Sequence, residues 1–340
     1  MERPYNVAPA GATRKDSSLT GICRGAGHMD IYWITPKGEI GTRGFQNNKW
    51  DSAFNLPGGN VARAGTDLAV VSRFTGSLEV YFVGNDSSVH VSSWFDNSWH
   101  KPVSISPANS VRGDSSIAAT TRTKDEMHIF YVNKEDGVST VWWRLGKWGG
   151  PGQVSGKGTV AAGSNLSTLC LDPKHCAVFW VNRENAVATS WVVKGVDADK
   201  WHGPDIIAPA KSARPNSVTA VARTSKHIDV YWLSPDGAVW TAYFNSGGPW
   251  NKPFSISPPH AGRADSSLSA SSRVKEQADI FWIDGKNGVM TNWWNEKAVE
   301  EIYISWTNPF VESQYKNTYH EQCLPTILSL IPEDRAATLR

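Results

Sequence analysis

Ser217-Val-Thr-Ala-Val-Ala-Arg-Thr-Ser-Lys-His-Ile-Asp-Val-Tyr-Trp-Leu-Ser-Pro-Asp-Gly-Ala-Val-Trp240 contains two β-branched, aromatic runs either side of a short polar break, then a Pro-Asp-Gly turn and the start of a third run. Such composition favours strands, and the turn is hairpin chemistry. The same pattern recurs along the chain. Its anchors are Asp16-Ser-Ser-Leu19, Thr66-Asp-Leu68, Asp114-Ser-Ser-Ile117, Ser164-Asn-Leu166, Asn216-Ser-Val218 and Asp265-Ser-Ser-Leu268, and successive apolar anchors stand about 50 residues apart. Six copies cover residues 16 to 296, with units of about 16–65, 66–113, 114–163, 164–215, 216–264 and 265–296.

Each copy reads as four short strands. The first ends in Arg, as in Ser116-Ile-Ala-Ala-Thr-Thr-Arg122. The second is apolar and aromatic: Asp30-Ile-Tyr-Trp-Ile34, Glu79-Val-Tyr-Phe-Val83, Ala177-Val-Phe-Trp-Val181. The third follows a Gly- or Asn-containing turn. The fourth begins at Trp50, Trp99, Trp148, Trp201 or Trp250, and Pro follows three residues after the last four of these Trp. Pro removes a ladder donor, so the fourth strand is expected at the outer edge of its sheet. Four-stranded units repeated around a ring predict an all-β fold, a β-propeller of four-stranded antiparallel blades. Six blades are counted, and seven are possible if the tail supplies a degenerate one. Pro4-Tyr-Asn-Val-Ala-Pro9 aligns with Pro253-Phe-Ser-Ile-Ser-Pro258. It therefore reads as a fourth strand without its own first three, and the predicted propeller spans residues 1–296, closed by residues 1–15 completing the last blade. Residues 297–340 share no repeat column and read as a non-repeat C-terminal tail.

Composition narrows the function classes. The chain of 340 residues carries 34 Lys and Arg against 32 Asp and Glu, interspersed, with no basic run of the kind that grips nucleic acid. No stretch approaches the roughly 18 consecutive apolar residues of a spanning helix, so no membrane insertion is expected. No signal peptide is visible at the start, which predicts a cytoplasmic or unconventionally secreted protein. Trp is the anomaly: 17 residues, more than the 11 Phe or the 9 Tyr. Cys170 and Cys176 flank a turn and either pair across a hairpin or remain reduced thiols. Metal-site spacings, phosphate-binding Gly loops and Gly-x-Ser-x-Gly are missing. The Ser-x-Asp-x-Gly-x-x-Trp boxes of propeller sialidases are not reproduced either. Acids recur around the ring rather than forming one unique pair, which is unlike a glycosidase. Neither an enzyme nor a cofactor is expected.

Residues 217–240, followed by Trp250-x-x-Pro-Phe-x-Ile-x-Pro258, resemble the β-propeller lectins of the Photorhabdus type, and more distantly the fungal fucose-specific lectins and tectonins. The resemblance covers about 280 residues. It implies a non-catalytic, multivalent carbohydrate-binding protein with several equivalent weak sites between blades. Its implied partners are glycans or glycoproteins, fucose or related methylated sugars among them, and an oligomer is possible. In the fungal lectins a basic residue opens the second strand and an acid follows on the third. Here Asp30, Glu79, Asp229 or Asp279 opens the second strand, so those sugar-binding residues do not carry over. A protein-interaction scaffold that uses the propeller face without sugar is the alternative.

The candidate ligand contacts fall in columns. Arg24, Arg73, Arg122, Arg223 and Arg273 close the first strand, with Leu171 in the fourth copy. An acid opens the next strand in four copies, and His128 and Ala177 are the exceptions. The fourth copy lacks both members, so Arg and acid are expected to satisfy each other across the hairpin, or to hold a polar ligand. The fourth blade is then the least competent. Arg14, Arg63, Arg112 and Arg263, with Arg214 displaced by one, precede the first strand, placed either to contact ligand or to brace neighbouring blades. Among the aromatics, Trp33, Trp232 and Trp282 on the second strand, and Trp142 and Trp293 at the end of the third, are candidates to stack on a sugar ring.

Overall fold

A computed structural model describes residues 7–25, 27–196, 199–272 and 275–295. Six antiparallel sheets follow one another along the chain, each with its first strand at one edge and its strands in sequence order outward. The fifth blade shows the pattern: Thr219–Thr224, His227–Leu233, Val239–Asn245 and Phe254–Ser255. First strands of successive blades stand beside one another, so they line the centre of a six-bladed β-propeller.

The fourth strand pairs only with the third, as its Pro predicts. In the second blade it is split into Ser98–Trp99 and Val103–Ser104, and Pro102 falls in the gap. The sixth blade has three described strands, Ser269–Ser271, Gln277–Ile283 and Val289–Asn295. Residues 4–6 of the expected closing strand lie outside the described residues, as do Arg273 and the tail. Val7, at the end of that segment, offers its carbonyl to Nη1 of Arg43 at 2.6 Å.

The core sits between blades. Adjacent residues of a strand point to opposite faces, so Phe179 packs toward the fifth blade and Trp180 toward the third. Each described fourth-strand Trp from the second to the fifth blade then lies edge-on to a second-strand aromatic of the preceding blade. Trp99 meets Tyr32 at 6.0 Å, Trp148 meets Tyr81 at 6.3 Å, Trp201 meets Phe130 at 5.3 Å and Trp250 meets Phe179 at 6.2 Å between centroids. The Trp excess is therefore largely a packing requirement met once per blade.

The Asp-Ser-Ser anchor has its own physical reason. Its first Ser accepts the backbone N–H at the end of its own second strand: Ser17 from Ile34, Ser115 from Val132 and Ser266 from Ile283, at 2.8 to 3.0 Å. Its second Ser reaches across to the next blade, where Ser18 accepts from Leu68 N at 2.9 Å and Ser116 from Leu166 N at 3.2 Å. These donors sit at the ends of their strands, where the serine hydroxyls supply their acceptors. Cys170 and Cys176 face each other across the first hairpin of the fourth blade and form a disulfide. Cys23 is an exposed free thiol.

Candidate functional site

The arginines that close the first strand are aimed by a backbone device. In the first, third and fifth blades the ladder slips by one residue at Arg24, Arg122 and Arg223. Such a β-bulge redirects the side chain, here into the cleft between its blade and the next. Arg24 donates from Nε to Asp30 Oδ2 at 2.6 Å and from Nη2 to Oδ1 at 3.3 Å. Arg223 repeats both distances on Asp229. Arg73 donates from Nε and Nη2 to one oxygen of Glu79, at 2.9 and 2.7 Å.

The expected ion pair is therefore present in three blades, and each partner satisfies the other in a half-buried cleft. Two of these arginines also clamp the following blade. Nη1 of Arg73 donates to Lys124 O at 3.1 Å, and Nη1 of Arg24 lies 3.5 Å from Thr75 O. Burial pushes the carboxyls of Asp30 and Glu79 upward, and the neighbouring arginines offset part of that rise. Arg73 lies over the ring of Trp143 from the next blade at 4.2 Å, and Arg223 over Trp294 at 5.4 Å. The unit is thus a guanidinium–carboxylate pair from one blade facing an indole from the next.

The third cleft reaches the same end by another route. His128 stands where the acid is expected, and Glu126, two residues earlier, takes its place. Arg144 donates to Glu126 Oε1 at 2.7 Å, Arg122 lies 3.4 Å from the same atom, and Lys194 of the next blade holds the other oxygen. Burial favours the neutral acid, but hydrogen bonds from His128, Lys194 and Arg144 and the charge of Arg122 outweigh it. The carboxyl is held well below its ordinary range. Burial lowers His128, which favours the neutral imidazole. Arg122 is only 6% exposed at the centre of this cluster, whereas the side chains of Arg144 and Lys194 are 39% and 40% exposed at its rim between the blades. Glu126, Arg144 and Lys194 lie outside every repeat column, so the alignment carried no signal for them.

The fourth cleft has neither charge. Leu171 and Ala177 leave an apolar cavity of about 410 Å³ between the fourth and fifth blades.

The second Arg column braces the ring. Nη2 of Arg14 donates to Arg63 O at 2.9 Å, Nη2 of Arg112 to Ala161 O at 3.0 Å and Nη1 of Arg214 to Arg263 O at 3.0 Å. In each case the acceptor lies 49 residues on, at the equivalent place in the next blade. Arg63 turns instead to Ser87 Oγ, and Arg263 to Asp265 and Asn287. The five aromatic candidates fall in different surroundings. Trp33, Trp232 and Trp282 are 4%, 1% and 5% exposed; Trp232 and Trp282 are packed in clusters shared with the preceding blade, whereas Trp33 lies against Gly41 of its own blade and lines a shallow pocket with Pro9, Pro36 and Phe54. Trp142 lies against the glycines of its own outer strand, where a Cβ on Gly149 would fall 2.5 Å from the indole nitrogen. The cleft residue is its neighbour Trp143. Likewise Trp293 is 64% exposed, and its neighbour Trp294 meets Arg223. Among the described residues no cluster of His, Cys, Asp and Glu is placed to hold a metal ion.

No protein-family model and no curated protein sequence matches the chain. Solved structures do. The BP39L lectin from Burkholderia pseudomallei superposes with a TM-score of 0.77 at 23% identity, over 86% of this chain and 87% of that one. A six-bladed fungal lectin from Aleuria aurantia gives 0.58 at 18% identity, over 84% and 93%. The SapL1 lectin in complex with alpha methyl fucoside gives 0.57 at 18% identity, over 84% and 94%. This chain has their fold. The propeller shared at this identity fixes the ring and its blades, and leaves the chemistry of each cleft to this sequence.

Proposed function

We propose that the propeller is a non-catalytic lectin with several weak sites in its inter-blade clefts. The observation that carries this reading is the recurrence of an Arg–carboxylate pair at rotationally related positions in the first, second and fifth clefts, beside an indole of the next blade in the second and fifth. A guanidinium and a carboxylate offer donors and acceptors to sugar hydroxyls, and an indole offers a flat face to the C–H side of the ring. The paired Arg uses only part of its five-donor fork, and the carboxylate keeps acceptor capacity.

Fucose or a related methylated sugar is the proposed ligand. The reading is supported by the SapL1 structure with alpha methyl fucoside, by the six-bladed lectin from Aleuria aurantia and by the residue pattern shared with propeller lectins. The proposed sites are the clefts of Arg24 with Asp30, Arg73 with Glu79, and Arg223 with Asp229. Each alone binds weakly, and a glycan-bearing surface raises apparent affinity through effective concentration. A glycan array with the full chain tests this. Binding to fucosylated glycans that free fucose displaces is the expected result. A partner bound without any competition from sugar would instead establish the protein-scaffold reading.

A further inference from the structure

The cavity between the fourth and fifth blades differs from its counterparts in chemistry, because Leu171 and Ala177 stand where the others carry Arg and a carboxylate. Its floor and walls are Leu171, Ile228, Phe244 and Trp250, with Trp191 and Asp205 also lining it. The walls are already fixed. Trp250 is held edge-on by Phe179 and stands 5.5 Å from Phe244. Trp191 stacks on His202 at 4.4 Å and donates from Nε1 to Asp205 Oδ2 at 2.9 Å. A preformed cavity of this size lies in the range of small-molecule sites and costs little ordering on binding.

The lining contains no Lys or Arg, its one histidine, His175, is already paired with Asp172 at 2.7 Å, and Asp205 repels an anion. A sugar would strand several hydroxyls against Leu171, Ile228 and Phe244. A flat apolar ring suits those walls, and the carboxylate of Asp205, exposed among the lining residues, can accept one hydrogen bond. We propose that this cleft is a second class of site, for an uncharged aromatic molecule of one or two rings bearing a single hydroxyl. The ring lies among Leu171, Ile228, Phe244 and Trp250, and the hydroxyl donates to Asp205. This proposal stands whether or not the other clefts bind sugar.

Calorimetric titration of the full chain with 2-naphthol tests it. The expected result is saturable binding of one molecule per chain. In the double variant L171R/A177D, which restores the pair of the other blades and fills the cavity, affinity falls at least about tenfold. With 2-methoxynaphthalene, which lacks the donor, binding is several-fold weaker. No saturable binding of 2-naphthol, or equal affinity in the folded double variant, would overturn the proposal. Should the variant not fold, methyl NMR of the unaltered chain decides: 2-naphthol must shift the Leu171 and Ile228 methyl signals, and unchanged signals overturn it.

Discussion

The second and fourth clefts occupy equivalent places in the ring and solve the same problem in opposite ways. In the second, Arg73 and Glu79 are both largely buried, cancel each other's charge and lean on Trp143. In the fourth, Leu171 and Ala177 remove both charges together. The contrast shows that the pair is kept or lost as a unit, because one half-buried charge without its partner costs several kcal/mol. It also separates structure from recognition, since the ring closes around either version.

The largest expected effect breaks one cleft without converting it. Arg73→Leu leaves Glu79 buried beside Ser77 alone and is expected to cost about 3–5 kcal/mol in urea unfolding. Adding Glu79→Ala, which copies the fourth blade, is expected to recover most of that loss, because apolar replacements of buried pairs are often neutral. If the double variant is as unstable as the single one, the pair is not an independent unit.

The third cleft sharpens the comparison through pH. Glu126 is held well below its unfolded pKa of about 4.3, so it contributes stability that is fully present above that value and lost progressively as pH falls below it toward the lower folded value. Glu126→Gln is expected to cost about 3 kcal/mol near neutral pH by stranding Arg122. The gap between variant and parent should close as the solution is acidified below about pH 4. A gap independent of pH would mean that Glu126 acts by packing rather than charge.

A smaller effect is expected at the serine junctions between the first and second and between the third and fourth blades. Ser116→Ala removes the acceptor of Leu166 N and should cost about 1–3 kcal/mol in the same unfolding measurement. The corresponding Ser18→Ala, at the junction of the first two blades, should match it, since the same bond to Leu68 N is lost.

Much of this was legible in the sequence because the repeat enforces it. The steps of about 50 residues placed the anchors, the Pro placed the outer strand, and the joint loss at Leu171 and Ala177 revealed the ion pair. The errors have a common cause. Adjacent aromatics such as Trp142 and Trp143 differ only in which face they serve, and in a propeller both faces are packed, so hydrophobic patterning does not say which one enters the cleft. Glu126 escaped because alignment reads columns, whereas a long side chain two residues away on the same face of the strand reaches the same guanidinium. The bulges that aim Arg24 and Arg223 are matters of backbone register, which the side-chain pattern does not encode.

On the proposed function, charge-paired clefts bind sugar and the apolar cleft does not. A crystal of the full chain soaked in methyl α-fucoside tests it most directly. Sugar is expected beside Arg24, Arg73 and Arg223, and none beside Leu171. Sugar in the Leu171 cleft, or none in the three charge-paired clefts, would contradict it.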